Sequence, residues 1–139
     1  MKINECEAQF QNEYYEVLKS LFISPRIRSQ EDTFDLDFSF SYEIVPIGKQ
    51  EEFIKGAVKL DVKCFPKKHG ENASIVDTTL LAVFNGKGFD DEQFEEMLKL
   101  NGLTFLIQIA RTHIITITSM TGNPPIIMPM INVSELIAK

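Results

Sequence analysis

The stretch Phe34-Asp35-Leu36-Asp37-Phe38-Ser39-Phe40-Ser41-Tyr42-Glu43-Ile44 decides the fold. Apolar residues alternate here with acidic or hydroxylated ones. Side chains along a strand point to opposite faces in turn, so the segment is a strand with a nearly all-aromatic face and a wet acidic face. The next segment repeats the pattern: Ile54, Val58, Leu60, Val62 and Cys64 alternate with Lys55, Ala57, Lys59, Asp61 and Lys63. Its wet face is basic. Opposite charges on neighbouring strands favour pairing by roughly 0.2–1 kcal/mol per pair. Only Pro46 to Glu52 separates the two, which predicts an antiparallel hairpin.

Downstream, Ile75 to Phe84 reads as another strand, with Val76, Thr78, Leu80, Ala82 and Phe84 on one face and Leu81 and Val83 on the other. A strand apolar on both faces is covered on both, by helices or by another subunit. Upstream, residues 5–24 stay open. Phe10, Tyr14, Val17, Leu18, Leu21 and Phe22 fit a helical stripe, while Leu21-Phe22-Ile23 before Ser24-Pro25 fits a strand end. Periodicity does not choose between them.

After the sheet the pattern changes. Asp90 with Gln93 predicts a helix N-cap and capping box, and Glu92, Glu95 and Glu96 suit the positive end of that helix. Phe94, Met97 and Leu98 give it an apolar side, and Asn101-Gly102 ends it. A longer helix is expected over Leu103 to Thr121, with Leu103, Leu106, Ile107, Ala110, Ile114 and Ile117 as its stripe and Gly122 as its stop. His113 to Thr118 is rich in β-branched residues, so a strand is the rival there; the length of the stripe favours helix. Pro124, Pro125 and Pro129 forbid helix and central strand between Asn123 and Ile131, leaving an extended apolar loop. A short helix from Asn132 or Ser134 closes the chain. Strands first and helices last make an α+β fold on an antiparallel sheet.

The 139 residues show no internal repeat and no linker, which predicts a single domain over residues 1–139. Apolar residues make up 44% and charged residues 24%, which excludes a disordered chain. Acids exceed bases by 20 to 14, a net charge of −6, so nucleic acid is not an expected partner. The start, Met1 to Glu7, lacks a signal peptide's apolar core. The most apolar stretch, Leu103 to Met120, contains Gln108, Arg111, His113 and several threonines, so no membrane insertion is expected. A cytoplasmic protein with two reduced thiols, Cys6 and Cys64, is the expectation.

Chemistry has little to stand on. His69 sits in a Lys-Lys-His-Gly turn, and His113 lies in the long helix among apolar residues with no catalytic partner in sequence. Asn85-Gly86-Lys87-Gly88 lacks the spacing of a phosphate loop. Asp35/Asp37 and Glu95/Glu96 are exposed faces, and neither cysteine has metal-ligand spacing. No enzyme, cofactor or metal is expected. The unusual feature is apolar excess: aromatics in alternation on one strand, and Ile126, Ile127, Met128, Met130 and Ile131 in a loop that prolines hold open. Core packing explains many such residues, but a large exposed apolar patch marks a binding surface or an oligomer interface.

On these residues the sequence resembles the SecB-like family of protein-export chaperones. The resemblance is carried by Leu80-Leu81-Ala82-Val83-Phe84 closing a strand, Asp90-Asp91-Glu92 starting a helix, and Asn101-Gly102 before the long helix. Ile109-Ala110-Arg111, Thr118-Ser119-Met120-Thr121-Gly122 and the proline-rich run to Met130-Ile131-Asn132-Val133 continue it. It extends upstream to about Leu18.

The resemblance implies a four-stranded antiparallel sheet followed by a long and a short helix. It implies a homotetramer, a dimer of dimers, that holds unfolded or precursor polypeptides without ATP. It places clients in an apolar groove, which here matches Phe38, Phe40 and Tyr42 of the strand and Ile126, Ile127, Met128 and Met130 of the loop. It makes Lys19 to Ser24 part of the first strand, after a short N-terminal helix. Export members dock on the SecA motor through acids on the first and last strands and through a C-terminal zinc-binding tail. The matching positions here are Ser20, Ser24 and Ala82 or Val83, and the chain stops at Lys139, which weighs against SecA as a partner. Other members protect an antitoxin. A one-partner chaperone of that kind and a module for a small apolar ligand are the alternatives. Replacing Ile127 and Met128 with Asp is expected to weaken client binding and leave the fold intact.

Overall fold

The computed structural model describes residues 9–24, 35–68, 70–122 and 124–138; the expectations for residues 5–8, Cys6, Phe34 and His69 lie outside them. Four strands, β1 (Phe10–Phe22), β2 (Leu36–Gln50), β3 (Phe53–Pro66) and β4 (Val76–Lys87), form one antiparallel sheet in the order β1-β4-β3-β2. Helices α1 (Asp91–Met97), α2 (Leu103–Thr118) and α3 (Val133–Ala138) follow. The α+β architecture is the one expected.

The β2–β3 hairpin is tighter than the sequence suggests. Its strands run on to Gln50 and Phe53, leaving Glu51-Glu52 as the turn, with Glu51 at φ 56°. Pro46 does not stop β2, because β2 is an edge strand and a bulge between Pro46 and Gly48 absorbs the residue without an N–H. Across the hairpin Glu43 stands opposite Lys59 as the charge pattern predicts, but Asp61 meets Ser41 and Lys63 meets Ser39.

Segment 10–22 is strand throughout, so the helical stripe is not realised and no helix occupies residues 10–18. The register explains why the alternation was illegible. Bulges between Asn12 and Tyr14 and between Val17 and Lys19 each insert a residue, and each switches which positions face the helices.

The core lies between one face of the sheet and the helices. Val58, Leu60, Val62 and Cys64 of β3 and Val76, Leu80, Ala82 and Phe84 of β4 meet Phe94, Leu98, Leu103, Leu106, Ala110 and Ile114 there. On the opposite face of β4, Thr79 and Val83 are also buried, in the middle of the sheet.

Asp90 caps α1 as expected: its carboxylate accepts from the Gln93 N–H at 2.7 Å, and the Gln93 side chain accepts from the Asp90 N–H at 3.1 Å. Asn101-Gly102 does not end the helix. A π-helical turn, Leu98–Gly102, joins α1 to α2. Gly102 keeps helical dihedrals, and its value is closeness: a Cβ there would lie 3.0 Å from Val58 Cγ2 and 3.2 Å from Phe84 Cε2. The resulting run, Asp91–Thr121, is long and apolar enough to cross a membrane by length and composition only, a criterion that a core helix also meets. Its apolar stripe is the one packed on the sheet. A single 3₁₀ turn, Ser119–Thr121, and left-handed Gly122 at φ 79° end it.

Candidate binding surface

On β2, Phe38, Phe40 and Tyr42 stand on the helix side of the sheet. Each faces a completely buried β3 residue: Cys64, Val62 and Leu60 respectively. Facing residues of an antiparallel pair share a side, so the strand delivers its aromatics to the core. They reach it only half-buried, because β2 is the edge of the sheet and has β3 on one side only. Phe38 and Phe40 stack with ring centroids 6.2 Å apart.

The proline-rich loop is organised by two side chains of α2. Thr118 Oγ1 donates to the Ile114 carbonyl at 2.7 Å and accepts from the Ile126 N–H at 2.9 Å. Arg111 donates from Nε and Nη2 to the Met128 carbonyl, at 3.0 and 2.7 Å, and from Nη1 to the Met130 sulfur at 3.0 Å. The backbone is thereby pinned at alternate residues. Ile126 is half-buried against the core, Met128 is 0% exposed, and Ile127 and Met130 are 64% and 82% exposed. Met128 is thus a core residue in this chain rather than part of an open surface. An Asp there would bury a carboxylate, so the expectation of an intact fold holds for Ile127 and not for Met128.

Three further titratable side chains have defined partners or surroundings. Burial, aided by the Asp37 charge, pushes the Cys64 thiol up to about 12, so it stays a protonated core residue at neutral pH. Glu13 is held below its ordinary value by hydrogen bonds from Lys55 and Asn85. His113 bonds Ser20 Oγ through Nε2 at 2.7 Å and ties α2 to β1.

No protein-family model and no curated protein matches this sequence. Solved structures do. The SecB-like chaperone Rv1957 of Mycobacterium tuberculosis, in complex with a ChAD peptide from the Rv1956 HigA1 antitoxin, superposes with a TM-score of 0.65 over 93% of this chain and 92% of its own, at 14% identity. This chain has a SecB-like fold. A Streptococcus agalactiae protein of unknown function is similar at TM-score 0.59 and 10% identity, covering 87% of this chain and 97% of its own.

The SecB-like frame carries a second apolar surface that the sequence reading missed. The bulges of β1 put Tyr15 and Val17 on the helix side and Tyr14 and Leu21 on the other, and all four are exposed. Tyr15 meets Phe105 edge-on, with centroids 6.0 Å apart. A cleft of about 450 Å³ opens between β1 and α2, lined by Tyr15, Val17, Phe105, Ile109, Thr112 and His113 among others. Its signal was present, in seven large apolar residues over 14–23, but periodicity did not choose between helix and strand for them. Arg111 and Thr118 were missed as well, because a latch is visible only once the loop is placed.

Proposed function

We propose that this protein is an ATP-independent holdase that keeps non-native polypeptides from aggregating. One observation carries the reading: on a SecB-like frame, the β2 aromatics remain half-buried and Ile127 and Met130 project into solvent. Client binding is driven by apolar burial, worth about 25 cal/mol per Å² before ordering costs are subtracted. Burial is non-directional, which suits varied clients. The site works without a cofactor, and the protein acts in the cytoplasm.

The active form is an oligomer, a dimer of dimers. Two features support self-association. Strand β1 pairs with β4 on one side only and exposes Tyr14, Tyr15, Leu18 and Leu21, and a long apolar strand edge left unpaired invites aggregation. The outward row of α2, Thr104, Gln108, Thr112 and Thr116, is polar but uncharged, unlike the charged outer face usual for a surface helix.

Export through SecA is the less favoured use of this holdase, and a dedicated chaperone for one partner such as an antitoxin is the alternative reading. The SecB-like neighbour holds an antitoxin peptide. The strand positions expected to dock SecA carry no acid, and here Ala82 and Val83 are buried while Ser20 is bonded to His113. The test is suppression of light scattering from an aggregating unfolded client without ATP, titrated against this protein. The expected result is saturation at a fixed ratio per tetramer, with suppression weakened at least about tenfold in the exposed-loop variant Ile127→Asp/Met130→Asp. No suppression at large excess removes the general holdase, and sedimentation as a monomer removes the tetramer.

A further inference from the structure

The fold gives each described methionine a different environment. Met128 is 0% exposed. Met97 is half-buried, and Asn101 Nδ2 donates to its sulfur at 3.3 Å. Met120 and Met130 are both well out in solvent, at 79% and 82% exposed. They differ in their neighbours. The Met120 sulfur has no hydrogen-bond partner among the described residues, whereas the Met130 sulfur accepts from Arg111 Nη1 at 3.0 Å.

That contact sets Met130 apart chemically. Arg111 forms no ion pair among the described residues, and its Nε and Nη2 are spent on the Met128 carbonyl. Nη1 meets a thioether, which is a weak acceptor. A sulfoxide oxygen carries negative charge and would be a far better one, since hydrogen bonds involving an ionised group are roughly twice as strong as neutral ones. The guanidinium therefore favours the oxidised side chain over the reduced one. The sulfur has two lone pairs, so its bond to Nη1 leaves one open to attack from solvent.

We propose that Met130 is a reversible oxidation site through which a peroxide lowers the protein's hold on clients. The proposal rests on the holdase reading and adds regulation at the same loop. A sulfur lone pair attacks one peroxide oxygen, the O–O bond breaks and an S–O bond forms. The sulfur gives up two electrons, and the proton on the transferred oxygen leaves with the departing hydroxide as water. The product puts a polar oxygen on a surface that works by apolar burial. The same oxygen takes the Arg111 donor and tightens the latch on the loop. Met128, two positions away, is enclosed and keeps its thioether, so the core is spared. Methionine sulfoxide reductases reverse the step.

The experiment treats the unmodified protein, Met120→Leu and Met130→Leu with hydrogen peroxide and compares each with itself before treatment. Mass mapping of peptides is expected to show Met120 and Met130 oxidising at least about tenfold faster than Met128. Suppression of client scattering is expected to weaken at least about threefold on oxidation of the unmodified protein and of Met120→Leu, and to be unaffected by peroxide in Met130→Leu. Methionine sulfoxide reductases are expected to restore it. Amide exchange over residues 126–131 is expected to slow in oxidised Met120→Leu. Oxidation of Met128 as fast as Met130, or an equal loss of suppression in Met130→Leu, overturns the proposal. Unchanged or faster exchange over 126–131 overturns it too, because the sulfoxide then does not engage Arg111. Undiminished suppression by protein oxidised at Met130 overturns it and leaves the holdase reading standing. Absence of suppression before any treatment removes the holdase, and this regulation with it.

Discussion

Two apolar surfaces, one aromatic and one of isoleucine and methionine, are held in different ways. The β2 aromatics are placed by register: each stands opposite a buried β3 residue, and all three are half-buried alike. The proline-rich loop has no partner strand, and its residues swing from buried Met128 to exposed Met130 within two positions. What a strand obtains from a ladder of backbone hydrogen bonds, the loop obtains from two α2 side chains. A ladder spreads its hold over many bonds, whereas a latch concentrates it. Single substitutions should therefore discriminate sharply within the loop and only weakly along β2.

The largest effect expected is Met128→Asp against Met130→Asp. The first buries an unpaired carboxylate at a fully enclosed position and should cost at least about 3 kcal/mol. The second changes an 82% exposed side chain that gives up only a weak sulfur acceptor for Arg111 Nη1, and should stay within about 0.5 kcal/mol. Urea unfolding of the two proteins checks this. Equal costs would show that the loop is not pinned and that its alternation does not persist in solution.

That pair also marks what the sequence carried and what it did not. The strand β2 was legible because its alternation runs unbroken from Leu36 to Ile44, and period 2 is the property that a strand face requires. The capping box at Asp90 and Gln93 was legible because it is local. The strand β1 was not, because two bulges break its period. In the loop, prolines announced extended chain, yet nothing within residues 124–131 distinguishes Met128 from Met130. The distinction is made by Arg111, seventeen residues from Met128 in sequence. Gly102 was misread for a related reason: a glycine after asparagine predicts a helix stop, whereas its use here is contact with Val58 and Phe84 on other elements. The aromatic face was visible from the start, but its half-burial depends on β2 being an edge, which is a property of strand order.

The next effect in size tests the latch itself. Arg111→Ala removes both donors from the Met128 carbonyl, and hydrogen bonds from a charged group are worth about 1.5–3 kcal/mol. The expected loss of stability lies in that range. Amide exchange should accelerate over residues 126–131 and stay unchanged over Leu36–Ile44. Acceleration in both regions would mean that loop and strand open together and would erase the contrast between them.

The smallest effect sets two buried threonines against each other. Thr118 Oγ1 accepts the Ile126 N–H, so Thr118→Val leaves that part-buried donor without a partner while keeping the side chain's shape. Such an orphan costs about 1–3 kcal/mol, and the cost should fall at the low end because the donor is only partly enclosed. Thr78 lies in β4, inside the core, and its Oγ1 has no hydrogen-bond partner among the described residues. Thr78→Val therefore removes a desolvated hydroxyl that bonds nothing and should be neutral or stabilising. The same chemical change is expected to have opposite signs at the two sites, because the sheet satisfies its own backbone and the loop borrows a side chain to do so. A loss of stability at Thr78 comparable to that at Thr118 would show that the sheet, too, relies on a side-chain hydroxyl.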